Sequence, residues 1–199
     1  TALAILGIRD RDTFPLIFFR EDCADMALSP ADLDRDWVGS AKAVLINGTH
    51  LSRPEVFETS LAAARIAKER GGKVVFDIDY RPVLWGLTGK ELGEQRFVAS
   101  EEVTSRLQQA LPLCDLVVGT EEEFHVLGGT TDTMTALRSV RAATQALLVC
   151  KRGPLGCVAF EGELPATVEG GISARGFAVE VFNVLGAGDA FMAGFLRGW

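Results

Sequence analysis

The chain has 199 residues, 48% of them hydrophobic, with 20 Lys+Arg against 27 Asp+Glu for a formal balance of -7. That composition gives one globular domain a real core and excludes a disordered, collagenous or coiled-coil chain. The acidic balance argues against nucleic acid and anionic membrane as partners, since either needs a basic surface, and no apolar run approaches the roughly 18 to 20 residues that span a bilayer.

Thr1 to Gly7 opens directly into an apolar run without the basic flank of a signal peptide, so a cytoplasmic protein is expected. Residue 1 is Thr rather than Met, and Trp199 falls inside an unfinished helical pattern; both fit a piece of a longer chain. Ala2 to Ile8 and Phe14 to Phe19 are β-prone runs joined by the charged stretch Arg9 to Thr13, a hairpin or a pair of adjacent strands. Ser29-Pro30 followed by Asp32 predicts a helix start. Ala43 to Ile46 predicts a short buried strand. Ser52-Arg53-Pro54-Glu55 then reads as a capping box before a helix that runs to about Arg70 and stops at Gly71-Gly72. Lys73 to Ile78, Asp115 to Val118 and Ala146 to Cys150 are the next strands. Helices are expected near Glu101 to Ala110, from Glu121, and near Thr133 to Thr144, with β-prone runs at Val158 to Phe160 and Ala178 to Phe182. Strands alternating with helices at these lengths predict an α/β sandwich around a mostly parallel sheet. Cys23, Cys114, Cys150 and Cys157 form no CxxC pair and read as reduced structural thiols.

The segment Asn183-Val184-Leu185-Gly186-Ala187-Gly188-Asp189, followed by an apolar helical pattern through Phe191, Phe195 and Leu196, carries the strongest chemical signal. Glycines at a strand-to-helix turn let a ligand approach the backbone, and free first-turn amides with the helix dipole behind them form an anion hole. A carboxylate at such a place suits orienting a hydroxyl toward a transferring phosphoryl group. The competing account makes Asp189 a helix N-cap and the glycines a mere turn. GxGxxG fails because Phe191 takes the third glycine position, and Walker A fails because Gly72-Lys73 and Gly89-Lys90 are followed by Val74 and Glu91. His50 and His125 show no ligand spacing, and no GxSxG elbow is present.

Asn183 to Gly194 resembles the C-terminal signature of the ribokinase-like (PfkB-type) carbohydrate kinases, Asp-Thr-x-Gly-Ala-Gly-Asp, with Asn183 and Val184 departing from it. Asp77-Ile78-Asp79-Tyr80-Arg81-Pro82-Val83-Leu84-Trp85 is similar to that family's Asp-x-Asn-x-Arg-x-x-Leu-Trp, and Thr120 to Glu123 to its Asn-x-x-Glu. Lys151-Arg152-Gly153-Pro154-Leu155-Gly156 resembles its glycine turn beside the nucleotide phosphates. Asp77 to Pro82, Gly119 to His125 and Asn183 to Gly194 together resemble most the branch that acts on 5-dehydro-2-deoxygluconate, over ribokinase or fructokinase.

The resemblance implies a three-layer sandwich with a small β lid, partly missing: residues 1–28 as lid strands and return, 29–199 as a core truncated before the adenine-pocket segment. It implies ATP-dependent phosphorylation of a sugar or sugar acid. Asp189 would be the orienting base, Gly186, Ala187 and Gly188 the phosphate cradle, Arg81, Asn47 and Gly48 substrate contacts, and Lys151, Gly153, Gly156 and Asn183 nucleotide contacts. Glu123 would hold Mg2+ through its water shell, and K+ is a further expected ion. Arg20 and Asp25 resemble lid-proximal positions, and a homo-oligomer through the lid is expected. Structural accounts compete: Arg81 paired with Asp77 or Asp79, Thr120 and Glu123 as a capping box, and Lys151 and Arg152 as a solvated strand end. The alternatives are another kinase of the family (2-keto-3-deoxygluconate, fructose or nucleoside) or a non-catalytic nucleotide-binding module.

Overall fold

The structure, a computed structural model, describes residues 2–8, 16–20, 22–89 and 97–199. Strands β1 (Leu3–Leu6) and β2 (Leu16–Phe19) pair antiparallel as a separate two-stranded sheet. The charged connection expected between them, and Phe14, lie outside the described residues. Six strands form the main sheet: β3 (Ala43–Asn47), β4 (Lys73–Asp77), β5 (Leu116–Thr120), β6 (Leu147–Lys151), β7 (Cys157–Phe160) and β8 (Ile172–Ala174), in that spatial order. The first four run parallel, and β7 and β8 add as antiparallel strands. The helices are α1 (Arg35–Gly39), α2 (Pro54–Glu69), α3 (Glu101–Gln108), α4 (Glu121–Gly128), α5 (Thr133–Ala143) and α6 (Ala187–Gly198).

Local chemistry explains most boundaries. Asp34 caps α1, Ser100 caps α3 and Asp132 caps α5, each accepting a first-turn amide. The Ser29-Pro30-Asp32 signal makes a single 3₁₀ turn with a reciprocal capping box rather than a helix, because the chain is already extended at Leu33 and starts again on Asp34. The expected box at Ser52–Glu55 does not form. The Ser52 hydroxyl donates to the Thr49 carbonyl at 2.7 Å, and α2 begins on Pro54, whose missing N–H forfeits nothing at that position. Past Arg70 the chain turns through Gly71, at φ +78°, and α2 ends there.

The two-residue alternation of the strands sorts their side chains onto two faces. One face presents Ile46, Val74, Phe76, Val117, Leu148 and Phe160 to α2, α3, α4 and α5, closing the larger core. The other presents Val75, Leu116, Val118 and Val149, and α6 lies across them with Phe191, Met192, Phe195 and Leu196. These are the three layers the alternation predicts. Only the middle of the second face is covered, since Leu45 and Ile172 remain exposed at its margins.

The run Ala178 to Phe182 is not a strand. A β-prone run becomes a strand only against a partner, and among the described residues it has none; Phe177 and Phe182 are 90% and 77% exposed. The last strand is Ile172–Ala174, where Gly156 lets β7 turn close: at φ +89°, a Cβ there would stand 2.0 Å from the Ala174 carbonyl oxygen.

Leu148, fully buried at the centre of β6, tests the larger core. Leu148→Ala is expected to destabilise the fold by about 2–5 kcal/mol, read as a lower urea midpoint at unchanged slope.

Candidate active site

Parallel register gathers the polar strand ends on one edge. Asn47 stands beside Asp77, and Thr120 beside Lys151, each in sequence alternation with residues of the α6 face. Helix α6 reaches that edge with its leading end. Gly186 is its N-cap in the left-handed conformation, φ +75°, and Asp189 is its third residue, so Asp189 does not serve as the cap. Asn183 Oδ1 accepts the Leu185 N–H at 3.1 Å, and the Ala187 N–H donates to the Val184 carbonyl at 3.2 Å. The loop is therefore folded onto itself and takes up one of the three amides expected in the cradle. No side chain caps α6, and helix geometry gives the Gly188 and Asp189 amides no carbonyl four residues back. The Asp189 carboxylate is exposed beside them.

Lys151 completes this end. Its Nζ lies 3.6 Å from where a Cβ of Gly188 would be, and 3.7 Å from Asp77 Oδ1. Its side chain is only 15% exposed. An ammonium and the positive end of a helix dipole thus share one spot, an arrangement that is relieved by an anion between them. Asp77 faces it from β4. Its Oδ1 is buried without a hydrogen-bond partner, the separation from Lys151 being an ion pair but too long for a hydrogen bond. Burial pushes the Asp77 carboxyl up to about 6, helped by Glu123 and Asp79 and opposed by Lys151 and Arg81.

The loop after β4 carries the second group of side chains. Arg81 Nη2 is 2.8 Å from Asp79 Oδ1, its Nη1 donates to the Tyr80 carbonyl at 2.9 Å, and Nη1 lies 3.6 Å from Glu123 Oε1. Asp79, at φ +30°, also accepts the Thr49 hydroxyl on Oδ2 at 2.8 Å. Asp25 pairs with Arg20 and stands 3.4 Å from His50 Nε2. Burial and the Arg20 charge hold the His50 imidazole below its ordinary pKa, against the pull of Asp79. A row of charges therefore runs from the return of the small sheet to α4. Arg81 has its competing partner in Asp79 and keeps a face toward Glu123, which brings two of the expected site residues together.

Several expected contacts have local employment. Asn47 Oδ1 accepts the His50 N–H at 3.1 Å, and Gly48 is required by packing, since a Cβ would meet the Ile78 carbonyl oxygen at 2.0 Å. Glu123 and Thr120 form the reciprocal box, Glu123 Oε2 accepting the Thr120 N–H at 2.8 Å and Thr120 Oγ1 the Glu123 N–H at 3.2 Å. Gly153 and Gly156 take positive φ in the turn after β6. Arg152 there is held by Glu121 and Glu169, both at 3.3 Å, a structural role. Lys151, unlike Arg152, points to α6.

Among the described residues no three His, Cys, Asp or Glu side chains converge on a metal position. With Glu123 Oε2 taken by the Thr120 N–H and Oε1 3.6 Å from Arg81, this donor set fits an ion that keeps its waters. A concavity of about 910 Å³ lies at the opposite edge, beside Lys73, Asp115 and Trp199, and none of the expected site residues lines it. Among the described residues no helix is long and apolar enough to cross a membrane. Sequence reasoning missed Asp77 as a site residue, although a strand-final Asp at the edge where parallel strands end was the available signal.

Comparison with known proteins supplies a family. The sequence pattern of pfkB family carbohydrate kinases matches residues 3–199. A 5-dehydro-2-deoxygluconokinase of Geobacillus kaustophilus is 31% identical over 202 residues, which cover 100% of this chain and 55% of that protein. Another, of Shouchella clausii, is 34% identical over 189 residues, 92% of this chain and 52% of that one. The chain thus spans about half the length of the curated relatives it matches. A Xylella fastidiosa fructokinase with bound ATP superposes at a TM-score of 0.76 with 24% identity, over 100% of this chain and 56% of that one. A Vibrio cholerae fructokinase with fructose, ADP and calcium gives 0.72 with 25% identity, over 97% and 57%. Both are ribokinase-like folds.

The Asp77 environment has a measurable sign. A carboxyl raised from 3.8 to about 6 contributes stability that is complete below pH 3.8 and is lost as pH climbs through about 6. At pH 7.5 the ionised side chain therefore costs the fold on the order of 3 kcal/mol. Asp77→Asn is expected to raise the thermal midpoint at pH 7.5 and to leave it nearly unchanged at pH 3.5; a lower midpoint at pH 7.5 contradicts the assigned environment.

Proposed function

This chain belongs to the pfkB family of carbohydrate kinases, and we propose on that footing that it carries the phosphoryl-transfer centre of an ATP-dependent kinase acting on a hydroxyl of a sugar or sugar acid. The observation that supports the reading most is the uncapped start of α6, where two first-turn amides, the Lys151 ammonium and the Asp189 carboxylate meet at one strand edge. In this reading the Gly188 and Asp189 amides and Lys151 hold the γ-phosphoryl group and draw off its charge. Asp189 orients the acceptor hydroxyl and takes its proton as the oxygen bonds to phosphorus. The bond from phosphorus to the β-phosphate oxygen breaks, and ADP leaves with that electron pair. The exposed position of Asp189 in the first turn of α6, beside those amides, leaves it open to an acceptor hydroxyl. A magnesium ion carried on the nucleotide would neutralise phosphate charge, with Glu123 reaching it through water.

For the acceptor we propose 5-dehydro-2-deoxygluconate. Two relatives bear that kinase's name, and Arg81 offers a half-buried guanidinium, a donor suited to a carboxylate-bearing acceptor. Arg81 would exchange part of its pairing with Asp79 for the substrate.

The test uses the full protein with ATP and a panel of 5-dehydro-2-deoxygluconate, 2-keto-3-deoxygluconate, fructose and adenosine. The sugar acid is expected to be phosphorylated at the highest kcat/KM, and preferential turnover of adenosine would contradict the acceptor. Asp189→Asn is expected to lower kcat by orders of magnitude with nucleotide binding largely kept; full turnover in that variant would remove the kinase reading.

A further inference from the structure

The pair formed by Asp77 and Lys151 asks for an explanation that fold stability does not give. Asp77 is the last residue of β4 and Lys151 the last of β6, two strands apart, with β5 between them. Lys151 leans across that gap until its ammonium is 3.7 Å from a buried carboxylate oxygen that has no hydrogen-bond donor. Both side chains are nearly out of water, 15% and 13% exposed, and so carry a desolvation penalty. Gly188 marks the same spot: a Cβ there would lie in ordinary contact with the ammonium, which therefore stands against the first turn of α6. A cation left to itself would avoid the positive end of a helix. Lys151 is kept there by Asp77, whose own ionised form the surroundings disfavour. A charge held against both the dipole and desolvation is arranged for a third charge.

Building on the kinase reading above, we propose that Asp77 is a positioning residue: its carboxylate fixes the Lys151 ammonium over the leading amides of α6, so that Lys151 meets the transferring phosphoryl group already oriented. Lys151 is the group that touches the nucleotide, and Asp77 acts only through it. With Asp77 neutral, the ammonium loses its tether and withdraws from the dipole toward water. At this end of the site the protein then meets the transition-state phosphate charge with the amides and no ammonium. Acceptor binding, which belongs to the Arg81 side of the edge, is untouched by this change.

A double-mutant cycle in the full protein tests it. Lys151→Met is expected to lower kcat with ATP by roughly ten- to a hundredfold, and Asp77→Asn by about tenfold, both with the acceptor KM within about twofold of the parent. In the Lys151→Met background, Asp77→Asn is expected to change kcat less than about twofold, because the tether then has nothing to hold. Lys151→Arg, which keeps the charge, is expected to recover part of the loss. The inference is overturned if Asp77→Asn lowers kcat equally in both backgrounds, or if Lys151→Met turns over like the parent. Asp189→Asn measured alongside separates the two claims: if it abolishes turnover while the cycle shows no coupling, only the tether fails, and if it too is fully active, the kinase reading fails first.

Discussion

Helix α6 lies across a sheet face with its amide end at the strands' C-terminal edge, and the rest of the site depends on that placement. The burial of Phe191, Met192, Phe195 and Leu196 against Val75, Val118 and Val149 fixes where the helix sits. Left-handed Gly186 fixes where it starts. Packing far from any chemistry therefore decides which two amides look out and where the Asp189 carboxylate stands. Parallel strands do the complementary work, because their ends present Asn47 and Asp77 in one register row and Thr120 and Lys151 in another two residues further along the same edge.

Two halves of the edge have different electrostatic characters. Around Arg81 the charges have close partners: Asp79 takes the guanidinium at 2.8 Å and the Thr49 hydroxyl at 2.8 Å, and the Tyr80 carbonyl accepts from Arg81 at 2.9 Å. Around Lys151 they are not, since one acidic oxygen is buried without a donor and the ammonium adjoins a helix dipole of its own sign. A satisfied network holds a shape, whereas an unsatisfied one gains free energy when a ligand arrives. That contrast is the physical basis for the proposed acceptor side and phosphoryl side of the edge.

Much of this was legible along the chain. The Thr120 box announces α4 because capping is local chemistry, and the glycines of the last turn announce α6 for the same reason; Asp34, Ser100 and Asp132 carried the same local signal and went unread. Local reading failed where the outcome depended on a distant partner. Ala178 to Phe182 has every β-forming residue type but no strand beside it among the described residues. Ser52 has the sequence of a cap, yet its hydroxyl meets the Thr49 carbonyl first. The pairing of Asp77 with Lys151 could not be seen at all, since only the register of three parallel strands brings those positions together. Arg152 and Lys151 are adjacent in sequence and equal in charge, and only the fold shows one tied to Glu121 and Glu169 and the other aimed at the helix.

The central claim is that the start of α6, with Lys151 beside it, is where a transferring phosphoryl group rests. A crystal structure of the full protein with ADP, an aluminium fluoride and the acceptor addresses it most directly. The account predicts the fluoride complex within hydrogen-bonding distance of the Gly188 and Asp189 amides and of Lys151 Nζ, with the acceptor hydroxyl on Asp189. A complex seated instead on Arg81 or Arg152, with the α6 amides turned to other protein atoms, would contradict it.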